Sequence, residues 1–424
     1  MRRLLSSMAS SSRIVFSQTE RAPGVINFAI GTPGPDLIPK KAIDAAFTSA
    51  ISENQDPLMY QYALSEGTSP FRKSLAKFLT EQNFSYEGGA VQEENLSATF
   101  GNSLGLVTVS KLFAKPGDIV VVEDPTYFLA GKMFQDQGLR CVRVGVDEHG
   151  LKVDDLEGWL SSTTVRPSLL YSIPRHHNPT SRCLSQDRGD KLIALAEKYG
   201  FKIVFDDPYS LLTYSQNVAP PQTRITEHVI SLGSFSKILT PGLRLGWMIG
   251  GPKTIEKIGT DGALNSGGGP AGVLTEAVRR LIDNGSLNLH LEMLRKELGE
   301  RHKVLEQAFE EEFGPGVASC RPALGGYFTY ASFKEASVTP GFTTAGLRQH
   351  CVDTNAGVLF MPVANCAVAD PIAEGEGGFG LVPGLDTHSS RLALRLAVSQ
   401  FTPGELREGV TRLAKAFQTF RPSP

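Results

Sequence analysis

The amino-acid sequence predicts an α/β protein: a large domain on a mostly parallel, doubly wound sheet, joined to a smaller α+β domain. Three observations carry that prediction. Between about residues 95 and 250, short, uniformly apolar runs alternate with stretches of helical period, as in parallel strands covered on both faces. After Gly268 the pattern changes to Leu, Glu, Arg and Lys at helical spacing. The length of 424 residues, 41% hydrophobic and 20% charged, suffices for about two or three domains with a sizeable core.

In chain order, residues 1–19 hold Arg2, Arg3, Arg13 and six serines, and no Asp or Glu precedes Glu20. Arg-rich, Ser-rich and acid-free is the composition of a mitochondrial transit peptide, and equally of a disordered tail. Residues 1–23 are therefore set aside from the fold. Strands are expected at Ile119–Glu123, Cys141–Gly145, Leu169–Ile173, Lys202–Asp206, Val229–Leu232 and Leu245–Ile249. Helix-like stretches lie between several of them, at Leu104–Phe113, Phe128–Gln137 and Asp187–Tyr199. Ala271–Phe313 reads as one or two long helices. An αβ mixture follows: strand Tyr327–Ser332, helix Thr344–Thr354, strands Gly357–Met361 and Leu392–Val398, and helix Pro403–Phe417. Residues 362–389, rich in Gly and Pro, read as a surface loop. These elements divide into a large domain over 46–300 and a small one from 24–45 and 301–424.

Composition narrows the function. Basic and acidic residues number 42 and 44, for a net charge of −2, which argues against nucleic acid or an anionic membrane as partner. No run of about 20 apolar residues suggests a membrane span. The five cysteines, Cys141, Cys183, Cys320, Cys351 and Cys366, are dispersed without a CxxC pair. They read as reduced thiols of an intracellular protein, in cytoplasm or mitochondrial matrix, and not as a disulfide or zinc framework.

In doubly wound sheets, ligands bind at the carboxyl ends of the strands, so the chemistry is sought there. Lys237 stands just past a strand, after Ser234 and Ser236 and seven residues before Arg244. A lysine amine can form a Schiff base with an aldehyde, and the serines and guanidinium suit a phosphate. A surface lysine in a Ser-rich turn is the ordinary alternative. At another strand end, Asp206 opens Asp206-Asp207-Pro208-Tyr209. Its carboxylate could keep a pyridine nitrogen protonated, making the ring an electron sink, while the Tyr209 hydroxyl could reach a phenolate oxygen. Asp-Asp-Pro by itself is a common turn start. Asn178, in His176-His177-Asn178-Pro179, could address the same phenolate. Adjacent histidines point apart, so no metal is expected. Gly101-Asn102-Ser103 links a strand to a helix and could present backbone N–H groups to phosphate. Tyr127, after Glu123-Asp124-Pro125-Thr126, could stack on a flat ring.

These five segments, in this order, resemble the fold type I pyridoxal 5'-phosphate enzymes, specifically the class I/II aminotransferases and the branch with 2-aminoadipate and kynurenine aminotransferases. The resemblance runs from about Asn27 to Phe417. It implies that Lys237 carries the cofactor as a Schiff base and shuttles the proton. It makes Asp206 the partner of the ring nitrogen, Asn178 and Tyr209 ligands of the phenolate oxygen, and Tyr127 the stacking aromatic. Asn102, Ser103, Ser234, Ser236 and Arg244 resemble the phosphate cup. Tyr62, in Tyr60-Gln61-Tyr62, matches a tyrosine that reaches the neighbouring subunit's phosphate, which implies a homodimer. Arg395 matches the arginine that clamps the substrate α-carboxylate, with Gly31 and Asn178 beside it.

The sequence departs from the family pattern at Ser103-Leu104, often Gln or Ala, at Ser181, usually Gly, and in the long loop at 367–386. The stretch Asn265–Gly269 is also distinctive. The expected activity is ping-pong transamination from an L-amino acid (aromatic, aminoadipate-like or aliphatic) to a 2-oxo acid such as 2-oxoglutarate. Another carbanion reaction on the same cofactor, or a dimeric binding protein without catalysis, are the alternatives.

Overall fold

The computed structural model describes residues 23–215, 223–368 and 389–422. Its centre is an eight-stranded sheet: β1 (Leu96–Thr99), β2 (Ile119–Asp124), β3 (Arg140–Asp147), β4 (Gly150–Leu151), β5 (Leu169–Ser172), β6 (Lys202–Asp206), β7 (Val229–Ser234) and β8 (Gly246–Ile249). The strand order is β1-β8-β7-β6-β5-β2-β3-β4. From β7 through β6, β5 and β2 to β3 every pairing is parallel, whereas β8 runs antiparallel to both β7 and β1. All six predicted strands are present. The sheet is fully covered because alternate residues of each strand feed opposite cores. Val121, Leu170, Ile203 and Phe205 enter one core, and Val120, Tyr171, Val204 and Leu232 the other.

The helices follow from local chemistry. Helix Gln186–Tyr199 buries Leu192, Ile193, Leu195 and Ala196 and stops at Gly200, whose left-handed φ of 80° turns the chain into β6. The predicted helical run after Ala271 is two helices, Gly272–Asp283 and Ser286–Phe313, broken at Gly285, where φ is 78°. A four-stranded antiparallel sheet holds Ala318–Cys320, Phe328–Phe333, Ala393–Ala397 and Met361–Pro362 in that order. Near it the N-terminal segment returns: Ile26–Asn27 pairs with Val358–Leu359, and the Ala397 N–H donates to the Phe28 carbonyl at 2.9 Å.

Two expectations need correction. The strand expected at Gly357–Met361 is split into two short strands that belong to different sheets. The start of the expected surface loop at 362–389 is core: Val363, Cys366 and Val368 are buried. The Cys366 carbonyl accepts from the Thr126 N–H at 2.9 Å, and Val368 lies so close to Gly131 that a Cβ there would stand 2.4 Å away. The readings made for 1–22 and for 369–388 fall outside the described residues. No helix among the described residues is long and apolar enough to cross a membrane.

Candidate active site

The sheet register brings the chemistry to one edge. Leu232 pairs with Asp206, Ser234 with Gly246, and Gly246 with Thr99. Because β8 runs backwards, its first residue lies at the carboxyl ends of β7 and β1. Arg244, just before it, therefore meets Ser236 and Gly101 with no intervening element. A cavity of about 240 Å³ opens there. It is lined by Gly31, Asn102, Ser103, Tyr127, Asn178, Asp206, Tyr209, Ser234, Ser236, Lys237, Arg244 and Arg395. Twelve of the thirteen residues singled out in the sequence thus share one cavity. The thirteenth, Tyr62, is 84% exposed and packs beside Gly267, away from the cavity.

Asp206 lies at the floor, 7% exposed. Its Oδ1 accepts from Asn102 Nδ2 at 2.6 Å and its Oδ2 from the Tyr171 hydroxyl at 2.7 Å. Burial raises its pKa, and these two donors oppose that rise. Asn102 Nδ2 also donates to the Leu232 carbonyl at 3.1 Å, while Asn102 Oδ1 is buried without a partner. Along the wall, Arg244 Nη1 reaches the Ser236 hydroxyl at 3.4 Å, and Nη2 donates to the Phe100 carbonyl at 3.2 Å. Gly101, at φ 87°, lets that guanidinium approach, since a Cβ there would stand 2.9 Å from Nη2. Helix Asn102–Phe113 begins at this point.

Lys237 Nζ donates to the Gly31 carbonyl at 2.7 Å. Burial, aided by the positive charge of Arg395, lowers its pKa from 10.5 to about 8. Opposite, Arg395 Nη1 donates to Asn178 Oδ1 at 2.7 Å and Nη2 to the Ala29 carbonyl, while Nε is buried without a partner. Its guanidinium lies 4.1 Å from the Phe328 ring centroid. Gly31 is needed against that ring, because a Cβ would come within 2.5 Å of it. Burial also raises Tyr127 to about 12 and holds Tyr209 above its usual range, so both keep their protons.

The adjacent histidines face apart. His176 Nε2 meets the Thr213 hydroxyl at 2.7 Å. His177 Nδ1 meets the Thr180 hydroxyl at 2.9 Å, and its Nε2 lies 3.1 Å from Glu123 Oε2 without the alignment of a hydrogen bond. Among the described residues no group of three His, Cys, Asp or Glu side chains could hold a metal ion. Sequence reasoning missed Tyr171 and Phe328. Tyr171 was hidden as one more apolar strand residue, and Phe328 lies 67 positions from Arg395, which it underlies.

The sequence model for "Aminotransferase class I and II" matches residues 23–413. The chain belongs to this aminotransferase family. The aromatic-amino-acid aminotransferase 1 of Thermococcus litoralis is 29% identical over 400 residues, covering 93% of this chain and 88% of that protein. The kynurenine aminotransferase of Pyrococcus horikoshii, solved with PMP, superposes at a TM-score of 0.78 with 27% identity, covering 98% of this chain and 93% of that one. The alpha-aminoadipate aminotransferase of Thermus thermophilus, solved with N-(5'-phosphopyridoxyl)-L-leucine, gives 0.76 and 26%, covering 93% and 92%. This aminotransferase is thus a pyridoxal-phosphate-dependent transaminase near the aminoadipate and kynurenine branch.

Proposed function

We propose that this aminotransferase moves the amino group of an aromatic, aminoadipate-like or aliphatic L-amino acid to a 2-oxo acid such as 2-oxoglutarate, by a ping-pong sequence at the cavity around Lys237. The observation that carries the reading is the convergence of a partly neutral buried amine, a paired carboxylate and a buried arginine in one cavity. The residues fit pyridoxal phosphate. Gly101, Ser234, Ser236 and Arg244 form a cradle for a phosphate. When bound, the cofactor supplies an aldehyde that captures amines and a ring that accepts the electrons of a carbanion.

The chain's own residues do the rest. Asp206, whose anion Asn102 and Tyr171 stabilise against burial, would pair with the ring nitrogen and favour its protonated form. Tyr127, Asn178 and Tyr209 line the same cavity, where Tyr127 would stack on the ring and Asn178 and Tyr209 would hold its phenolate oxygen. Arg395 binds the α-carboxylate through N–H groups left after Asn178 and Ala29 are served, Nε among them. With the cofactor bound, Lys237 would take the α-proton and return it to the carbon on the other side of the transferred nitrogen. A pKa near 8 leaves about 10% of the amine neutral at pH 7, roughly 300-fold more than an ordinary lysine.

We further propose a homodimer in which Tyr62 reaches the neighbouring phosphate site. Leu58, Tyr60, Tyr62 and Leu64 are exposed along one short segment, an apolar face that a second copy would cover. Initial rates over a grid of L-phenylalanine and 2-oxoglutarate concentrations test the sequence of events. Parallel double-reciprocal lines are expected; intersecting lines would rule out ping-pong. Activity confined to a single unrelated amine would sink the substrate assignment.

A further inference from the structure

The loop that carries Asn178 contains a residue that the reaction scheme leaves unused. Ser181 is buried at 6% exposure and adopts φ 60°, a left-handed conformation that glycine enters freely and serine does not. The loop's fold is held by its own backbone: the Ser181 N–H donates to the His177 carbonyl at 2.6 Å and the His177 N–H to the Arg182 carbonyl at 2.8 Å. A glycine would therefore serve the backbone better. What serine adds is a hydroxyl, and that hydroxyl donates to the Phe328 carbonyl at 2.6 Å.

Phe328 begins the strand Phe328–Phe333, whose neighbour Ala318–Cys320 stops pairing at Ala331. Ser181 thus grips the strand edge where no neighbouring strand runs. The Phe328 ring lies 4.1 Å from the Arg395 guanidinium, and Arg395 in turn donates to Asn178, three residues before Ser181. The guanidinium sits between two groups that one loop ties together. We propose that Ser181 is a positioning residue for carboxylate recognition: its hydroxyl fixes Phe328 relative to Asn178 and so fixes the Arg395 guanidinium where a substrate α-carboxylate must dock. This rests on Arg395 being the carboxylate-binding arginine.

The test uses the cofactor-loaded full chain and four proteins: wild type, Ser181→Gly, Ser181→Ala and Arg395→Lys. Ser181→Gly removes the hydroxyl together with the Cβ that strains the backbone, so its melting temperature is expected to match or exceed that of wild type. Its KM for L-phenylalanine and for 2-oxoglutarate is expected to rise about fivefold, with kcat changed less than about twofold, the effect of one lost buried hydrogen bond. The inhibition constant of 3-phenylpropionate should rise in parallel, and that of 2-phenylethylamine, which lacks the carboxylate, should not. Ser181→Ala should show the same KM pattern with a lower melting temperature. Wild-type KM values in both Ser181 variants, alongside raised values in Arg395→Lys, would overturn the inference and spare the site reading. Unchanged KM values in Arg395→Lys would remove the carboxylate assignment and this inference with it.

Discussion

Replacing Lys237 by methionine is expected to stabilise the cofactor-free protein while abolishing turnover. The amine is held in a cavity that favours its neutral form, with a pKa of about 8 in the folded chain against 10.5 for an ordinary lysine. Between those values the unfolded chain binds more protons than the folded one, so wild-type stability rises with pH from about 8 to about 10.5. Below pH 8 the full cost is present. A shift of this size corresponds to about 3 kcal/mol, and the lost bond to the Gly31 carbonyl offsets about 1 of it. Methionine keeps the length and burial of the side chain without the charge. Urea unfolding at pH 7 should therefore show Lys237→Met more stable by about 2 kcal/mol, a gain that shrinks through pH 9, vanishes just below pH 10 and reverses sign above it. A variant less stable than wild type at pH 7, or a gain that does not depend on pH, would refute the assignment of a depressed lysine.

Tyr171→Phe removes one of two donors that oppose the rise of the Asp206 pKa on burial. The Asp206 pKa should rise further, moving the acid limb of the kcat/KM profile upward in pH; an unmoved limb would contradict the role. Gly101→Ala places a Cβ 2.9 Å from Arg244 at φ 87°, so cofactor affinity by fluorescence titration should fall about tenfold or more. Gly31→Ala drives a Cβ to 2.5 Å from the Phe328 ring, and steady-state kinetics should show a raised KM for both substrates.

Much of the site was legible because strand ends in a buried parallel sheet are where apolar runs stop. Asp206, Ser234 and Lys237 each follow such a run, so their place at one edge of the sheet could be read in order. Tyr171 could not, since its role depends on β5 lying beside β6, with Tyr171 opposite Val204 and its hydroxyl reaching the next strand's Asp206. The burial of Cys366 and Val368 was obscured by the Gly/Pro-rich sequence around them, although both side chains are apolar. Ser181 stood out only as a departure from glycine; its φ and its bond to Phe328 are tertiary facts. Tyr62 is exposed on the single chain, so nothing within that chain tests the role expected of it.

The most direct test of the account is to reduce the cofactor-loaded protein with borohydride, digest it and find the modified residue by mass spectrometry. The account predicts the phosphopyridoxyl mass on the peptide containing Lys237, and its loss when L-phenylalanine is added before reduction without any oxo acid. A modification on another lysine, or none on Lys237 in a loaded sample, would contradict it.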